Sequence, residues 1–137
     1  MSGKIGVSFL TRLLTMKYHI TTIENANKIL KEGLIASITK NSELSEEGYI
    51  YLFDNKSFIH PLSGIRVDVA DDIAKNQLLM SSGDSYAMLE IDEQGFKNEL
   101  ELDKVGELSS LLGCLWKVKQ DRINKKYINF FGIYELP

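Results

Sequence analysis

Lys17-Tyr18-His19-Ile20-Thr21-Thr22-Ile23-Glu24-Asn25-Ala26-Asn27-Lys28-Ile29-Leu30-Lys31-Glu32-Gly33-Leu34 is the stretch from which the fold is read. Residues 17–21 read as a short strand, on which His19 and Thr21 share one face. Thr21-Thr22-Ile23-Glu24 then has the spacing of a capping box. In that motif a hydroxyl and a carboxylate satisfy the first free amides of a helix. Ile23, Ala26, Ile29 and Leu30 follow at helical spacing. Gly33 is a natural stop, because glycine accepts the left-handed conformation that ends many helices.

Downstream of Gly33 the pattern is mostly of strands. Residues 34–38 read as a short strand, and the polar residues 39–48 as a loop. Tyr49-Ile50-Tyr51-Leu52-Phe53 is aromatic and β-branched and apolar on both faces, which predicts an interior strand. Residues 54–64, with Pro61, read as a longer loop. A brief strand over 65–69 leads into a second helix marked by Ala70, Ile73, Ala74 and Leu78. It ends near the turn cluster Ser81-Ser82-Gly83-Asp84. Residues 86–92 alternate and read as a strand, followed by a Glu93-Gln94-Gly95 turn. Residues 98–103 alternate acids with leucines and read as an edge strand, with Glu99, Glu101 and Asp103 on a solvated face. Residues 106–113 fit helix or loop equally. Residues 114–119 and 127–136 are further strands. About two helices and six or seven strands, without regular alternation, predict an α+β domain with a mostly antiparallel sheet.

The chain has 137 residues, 44% hydrophobic and 26% charged, with a net charge of −3. That balance fits one globular domain and excludes intrinsic disorder. Cys114 is the only cysteine, so a disulfide scaffold is excluded. One Cys with His19 and His60 does not make a zinc site, and no metal is expected. No apolar run has the length of a membrane helix, so no membrane partner is expected. The N-terminal residues 1–15 place a cation before an apolar run, as a leader does. Ser8, Thr11 and Arg12 break that run, and no small-residue cleavage site follows. Residues 1–15 are read as an extension, Met16 as the start of a single folded domain over 16–137, and the protein as cytoplasmic.

Chemistry is most concentrated at His19 and Thr21. An imidazole and a hydroxyl project together beside a helix N-terminus, a place that favours anionic groups. By residue type alone, such a pair more often serves hydrogen bonding and capping, and an aromatic residue placed like Tyr51 more often packs in a core. His60 beside Pro61 reads as an exposed loop residue. Cys114 beside Trp116 reads as buried strand, with no base near it to make a nucleophile. Lys117, Lys119, Arg122, Lys125 and Lys126 make the C-terminal third locally basic, either as a solvated face or as a contact for nucleic acid.

Tyr-His-x-Thr, a dozen helical residues and then Gly33-Leu34 resembles the opening of the ADP-ribosyltransferase-like superfamily. It is most similar to the branch with a His-x-Thr start, which includes tRNA 2′-phosphotransferases and DNA-targeting ADP-ribosyltransferases. Gly48-Tyr49-Ile50-Tyr51-Leu52 with Ala70-Asp71-Asp72-Ile73-Ala74, and then Tyr86-Ala87-Met88-Leu89-Glu90-Ile91-Asp92, resemble the next family segments in order. The resemblance runs from Lys17 to the C-terminus. It implies split antiparallel sheets flanked by two or three helices, with NAD⁺ in the cleft between them. By matching position, His19 would hydrogen-bond the adenosine ribose. The Ile20 backbone and Thr21 would hold the nicotinamide or its ribose, and Tyr51 would pack against the nicotinamide ring. The family reaction breaks the nicotinamide–ribose bond through a cation-like transition state.

Many relatives place a glutamate at the start of a late strand. Here that slot falls on Lys126, or on Asn129 with a shifted alignment, and Glu135 lies late in the strand. Three functions therefore stay open. One is an NAD-dependent ADP-ribosyltransferase or glycohydrolase acting on a protein, DNA, RNA or water, as a compact toxin or effector would. The second is a catalytically degenerate module of the same fold. The third is a tRNA 2′-phosphotransferase relative, for which Arg66, Lys125 and Lys126 are candidate phosphate contacts.

Overall fold

The computed structural model describes residues 16–36, 48–104, 111 and 113–137. The extension over 1–15, the 39–48 loop except Gly48, and most of the ambiguous 106–113 segment lie outside the described residues.

Among the described residues, ten strands and two α-helices follow in the order β1 (Lys17–Thr21), α1 (Ile23–Glu32), β2 (Leu34–Ile35), β3 (Tyr49–Phe53), β4 (Ser57–Ile59), β5 (Arg66–Asp68), α2 (Val69–Asn76), β6 (Ser85–Ile91), β7 (Glu101–Leu102), β8 (Leu115–Lys119), β9 (Arg122–Ile123) and β10 (Ile128–Glu135). Short 3₁₀ turns occupy Glu93–Gly95 and Lys125–Tyr127. Six strands form one sheet in the order β10-β6-β1-β3-β8-β7, and every pairing in it is antiparallel. Two small ribbons, β2-β9 and β4-β5, lie outside it. The protein is an α+β domain, and among its described residues no helix is long and apolar enough to cross a membrane.

Among the described residues, α2 packs on one face of the sheet and α1 on the other. Val69, Ala70, Ile73 and Ala74 of α2 pack with Tyr18, Ile20, Phe53, Tyr86 and Met88. Ala26 and Ile29 of α1 pack with Ile50, Leu52, Ala87, Leu89, Ile91 and Val118 on the opposite face. This explains why β3 and β6 are apolar on both sides: each central strand feeds two cores. The alternation expected over 86–92 is therefore replaced by near-continuous burial from Tyr86 to Leu89. Full burial of side chains such as Leu89 and Val118 contributes about 1.5–3 kcal/mol each.

The structure also corrects the bounds and kind of several local elements. The cap of α1 is Thr22, whose hydroxyl accepts from the Asn25 amide at 3.1 Å. Thr21 is still paired with Ala87 as strand, so its backbone is not free to cap. Residues 54–64 are not a plain loop, because Ser57–Ile59 pairs with Arg66–Asp68. Pro61 marks the tip of that hairpin rather than an absence of structure. His60 is half-buried there, and its Nδ1 accepts from the amides of Leu62 and Ser63. The edge strand expected over 98–103 is only Glu101–Leu102. Gly33 does end α1, with φ of 94°, and a Cβ there would lie 2.7 Å from the Ile123 carbonyl oxygen. The helix end and β9 therefore touch through a position only glycine fills.

Candidate functional site: the seam of the sheet

β1 lies in the middle of the sheet, yet it is joined to its two neighbours very unequally. Five consecutive residues pair with β6, from Lys17 opposite Ile91 to Thr21 opposite Ala87. Toward β3 the register holds at Tyr18 opposite Phe53 alone. The sheet expected to be split is thus continuous across one paired position and diverges beyond it.

Polar side chains fix both sides of that position. The Lys17 ammonium meets Asp54 Oδ1 at 2.8 Å, and Trp116 Nε1 donates to Asp54 Oδ2 at 2.9 Å. Lys17 also stands 5.1 Å over the Trp116 ring. One carboxylate therefore pins β1 and β8 to the end of β3. On the diverging side, His19 Nδ1 lies 2.9 Å from the Tyr51 carbonyl oxygen. A carbonyl only accepts, so Nδ1 carries the proton and donates. In the neutral ring Nε2 is then left with its lone pair.

A cavity of about 120 Å³ opens where the strands diverge. His19, Ile20 and Tyr51 line it from the seam, Asp103 and Trp116 from the β7–β8 side, and Gln77 and Leu78 from the end of α2. Typical small-molecule sites are about 300–1,000 Å³. This one has room for a single ring, with the rest of any larger ligand outside it.

Of the residues singled out from the sequence, the structure brings together His19, Ile20 and Tyr51. Thr21 is buried but does not line the cavity; its hydroxyl accepts from Asn25 Nδ2 at 2.8 Å and so ties β1 to α1. Lys126 lies on the second 3₁₀ turn and lines a different depression. Asn129 sits on β10 opposite Glu90, and Glu135 near its far end opposite Ser85. Arg66 lies on the β4–β5 hairpin, where it donates to Ser57 Oγ at 3.0 Å, apart from Lys125 and Lys126. Cys114 is buried, and burial pushes its thiol pKa up, which keeps it protonated. No metal-sized group of His, Cys, Asp or Glu occurs among the described residues.

The residue that sequence reasoning missed is Asp103. Its alternation with Leu100 and Leu102 suggested a solvated carboxylate. The chain leaves strand geometry after Leu102, and the Asp103 amide donates to the Leu115 carbonyl at 2.8 Å. That turn buries the residue to 7% exposure at the cavity wall.

Burial lowers the pKa of His19 below its ordinary 6.5, and the bond to Tyr51 only partly offsets this. The unfolded chain then binds a proton at His19 more readily than the folded one. Stability from this group is complete above the ordinary histidine pKa and is lost as pH falls through the folded value. Urea unfolding at pH 7.5 and 5.5 should therefore show a loss at the lower pH that shrinks in His19→Asn. An equal loss in both proteins would refute a neutral His19 in the fold.

No known protein family, curated protein or solved structure matches the chain. The chemistry of the seam has to be read from its own side chains.

Proposed function

We propose that the seam cavity receives the nicotinamide end of NAD⁺ and that the protein is an NAD-dependent ADP-ribosyltransferase or glycohydrolase. The observation that carries this reading is that His19, Tyr51 and Asp103 line one ring-sized cavity. The order of motifs along the chain supports the same superfamily fold. Tyr51 and Trp116 offer aromatic surface for a flat heterocycle. His19 Nε2 offers an acceptor for a ribose hydroxyl, in this pose that of the nicotinamide ribose rather than the adenosine ribose that the resemblance implies. Loss of nicotinamide builds positive charge on the attached ribose carbon. Asp103 offers a carboxylate where such charge would be stabilised. The residues fit the nicotinamide riboside end alone, so the adenosine end would rest outside the cavity. ADP-ribose would then pass to water or to a macromolecular acceptor.

The test is incubation of the full chain with NAD⁺, with nicotinamide release followed by chromatography. Release is expected, and His19→Ala should weaken NAD⁺ binding about tenfold, the worth of one lost hydrogen bond in a dry site. Intact NAD⁺ after prolonged incubation, with and without candidate acceptors, would overturn the reading. One observation favours a second reading, a module that binds a nucleotide without turnover: Lys126, Asn129 and Glu135 all lie off the cavity. Saturable NAD⁺ binding without release would select it. Conversion of 2′-phosphorylated RNA would select a 2′-phosphotransferase instead.

A further inference from the structure

The α1 side of the molecule carries a second polar site with no residue in common with the seam cavity. Two adjoining depressions, of about 400 and 550 Å³, share Arg122 and Asn124. Lys97 and Lys126 line the first, and Lys31 and Lys125 line the second. Glu32 is the one carboxylate lining either of them. Five cations against one carboxylate contrast with a chain whose net charge is −3. Outside the lining, the nearest acids along the chain are the exposed Asp121, beside Arg122, and Glu99, two residues from Lys97. None of the five cations is ion-paired among the described residues.

The groove is also built rather than incidental. Gln120 is buried at 6% exposure, and its amide nitrogen donates to the Gly95 and Arg122 carbonyls, each at 2.8 Å. Its oxygen accepts from the Lys97 amide at 2.8 Å. A single buried side chain thus fixes the backbone bearing Lys97 to the backbone bearing Arg122. Asn124 caps the turn bearing Lys125 and Lys126, accepting from the Lys126 amide at 3.0 Å. The two 3₁₀ turns meet directly, since a Cβ on Gly95 would lie 2.9 Å from the Tyr127 Cβ. Lys126 stands 5.0 Å over the Tyr127 ring, which holds its ammonium at the groove wall.

A solvated face needs none of this internal bracing. Cations carried on a braced backbone along a concave path, on a protein of opposite net charge, suit a flexible chain of phosphates. We infer that the Lys97–Arg122–Lys126 groove, continued by Lys31 and Lys125, binds the sugar–phosphate backbone of a nucleic acid. The concave shape and the absence of an aliphatic side chain among its lining residues favour this over a membrane surface. The inference is independent of what occupies the seam cavity.

Fluorescence anisotropy of the full chain with labelled oligonucleotides of about 12 nucleotides tests it, with single-stranded DNA, single-stranded RNA and duplex as separate arms. Binding to at least one arm is expected. Its log affinity for a single strand should fall with log salt at a slope of roughly −2 to −3.5, for three to five neutralised phosphates. Lys97→Glu with Lys126→Glu should weaken binding at least about tenfold and flatten the slope by roughly 1.4. Lys97→Gln with Lys126→Gln should show the same direction with a smaller loss. Lys56→Glu with Lys75→Glu makes the same change in net charge just before β4 and on α2, and should leave binding within about twofold. No binding in any arm, equal losses in the groove and control variants, or binding to phosphatidylserine vesicles but not to oligonucleotides would each overturn the inference.

Discussion

Asp103→Asn is expected to slow nicotinamide release from NAD⁺ by about 10²–10³-fold, the usual cost of removing one preorganised electrostatic partner from a water-poor site. The change keeps the shape of the side chain and removes its charge. A group that acts only on developing charge lowers the turnover rate and leaves ground-state binding nearly intact. NAD⁺ affinity should therefore stay within about threefold of the parent, whereas His19→Ala acts chiefly on binding. The contrast separates a stabilising carboxylate from a positioning one. The measurement is single-turnover release of nicotinamide beside a titration of NAD⁺ binding. Unchanged turnover in Asp103→Asn would remove this carboxylate from the mechanism. Loss of both binding and turnover, together with a lowered unfolding midpoint, would mark it as structural.

Asp54→Ala is expected to lower folding stability by about 2–3 kcal/mol. The substitution strands the Lys17 ammonium, whose side chain is 9% exposed, and leaves the Trp116 indole N–H without its acceptor. Removing one partner of a fully buried ion pair costs about 3–5 kcal/mol. Asp54 is 24% exposed, so water recovers part of that cost. Lys17→Met in the Asp54→Ala background should restore part of the loss, because it removes the stranded charge while keeping the packed stem. Urea unfolding of the four proteins in this cycle measures the coupling. A loss under about 0.5 kcal/mol in Asp54→Ala would place the pair with ordinary surface salt bridges.

What the sequence made legible was local. The run from Lys17 to Gly33 yields β1, α1 and the helix stop, because strand, cap and glycine signals lie within a few residues of one another. The fully apolar Tyr49–Phe53 stretch announces a strand with a core on each side, and the register confirms where it sits. The cap moved from Thr21 to Thr22 because a strand partner, Ala87, claims Thr21 from far along the chain. β4 was missed because a three-residue strand has no period to detect, and its partner β5 lies beyond the Pro61 turn. Asp103 was missed for a similar reason. Whether an acid after a short edge strand turns outward or inward depends on the Leu115 carbonyl, a contact no local pattern contains. The groove on the α1 side was visible only as a basic stretch. Its bracing depends on one glutamine, which nothing in the composition distinguishes from any other.

The single paired position between β1 and β3 has a mechanical meaning. Most of the sheet resists deformation because moving one strand against another breaks several backbone bonds together. At the seam the polar and ladder restraints are one imidazole, one carboxylate and one rung, beside the two apolar cores that pack across it. A small rotation of one three-stranded ribbon against the other widens the cavity without disturbing the pairings on either flank. Any change in the cavity volume would therefore be taken up at the seam, while the ladders that carry its walls stay intact.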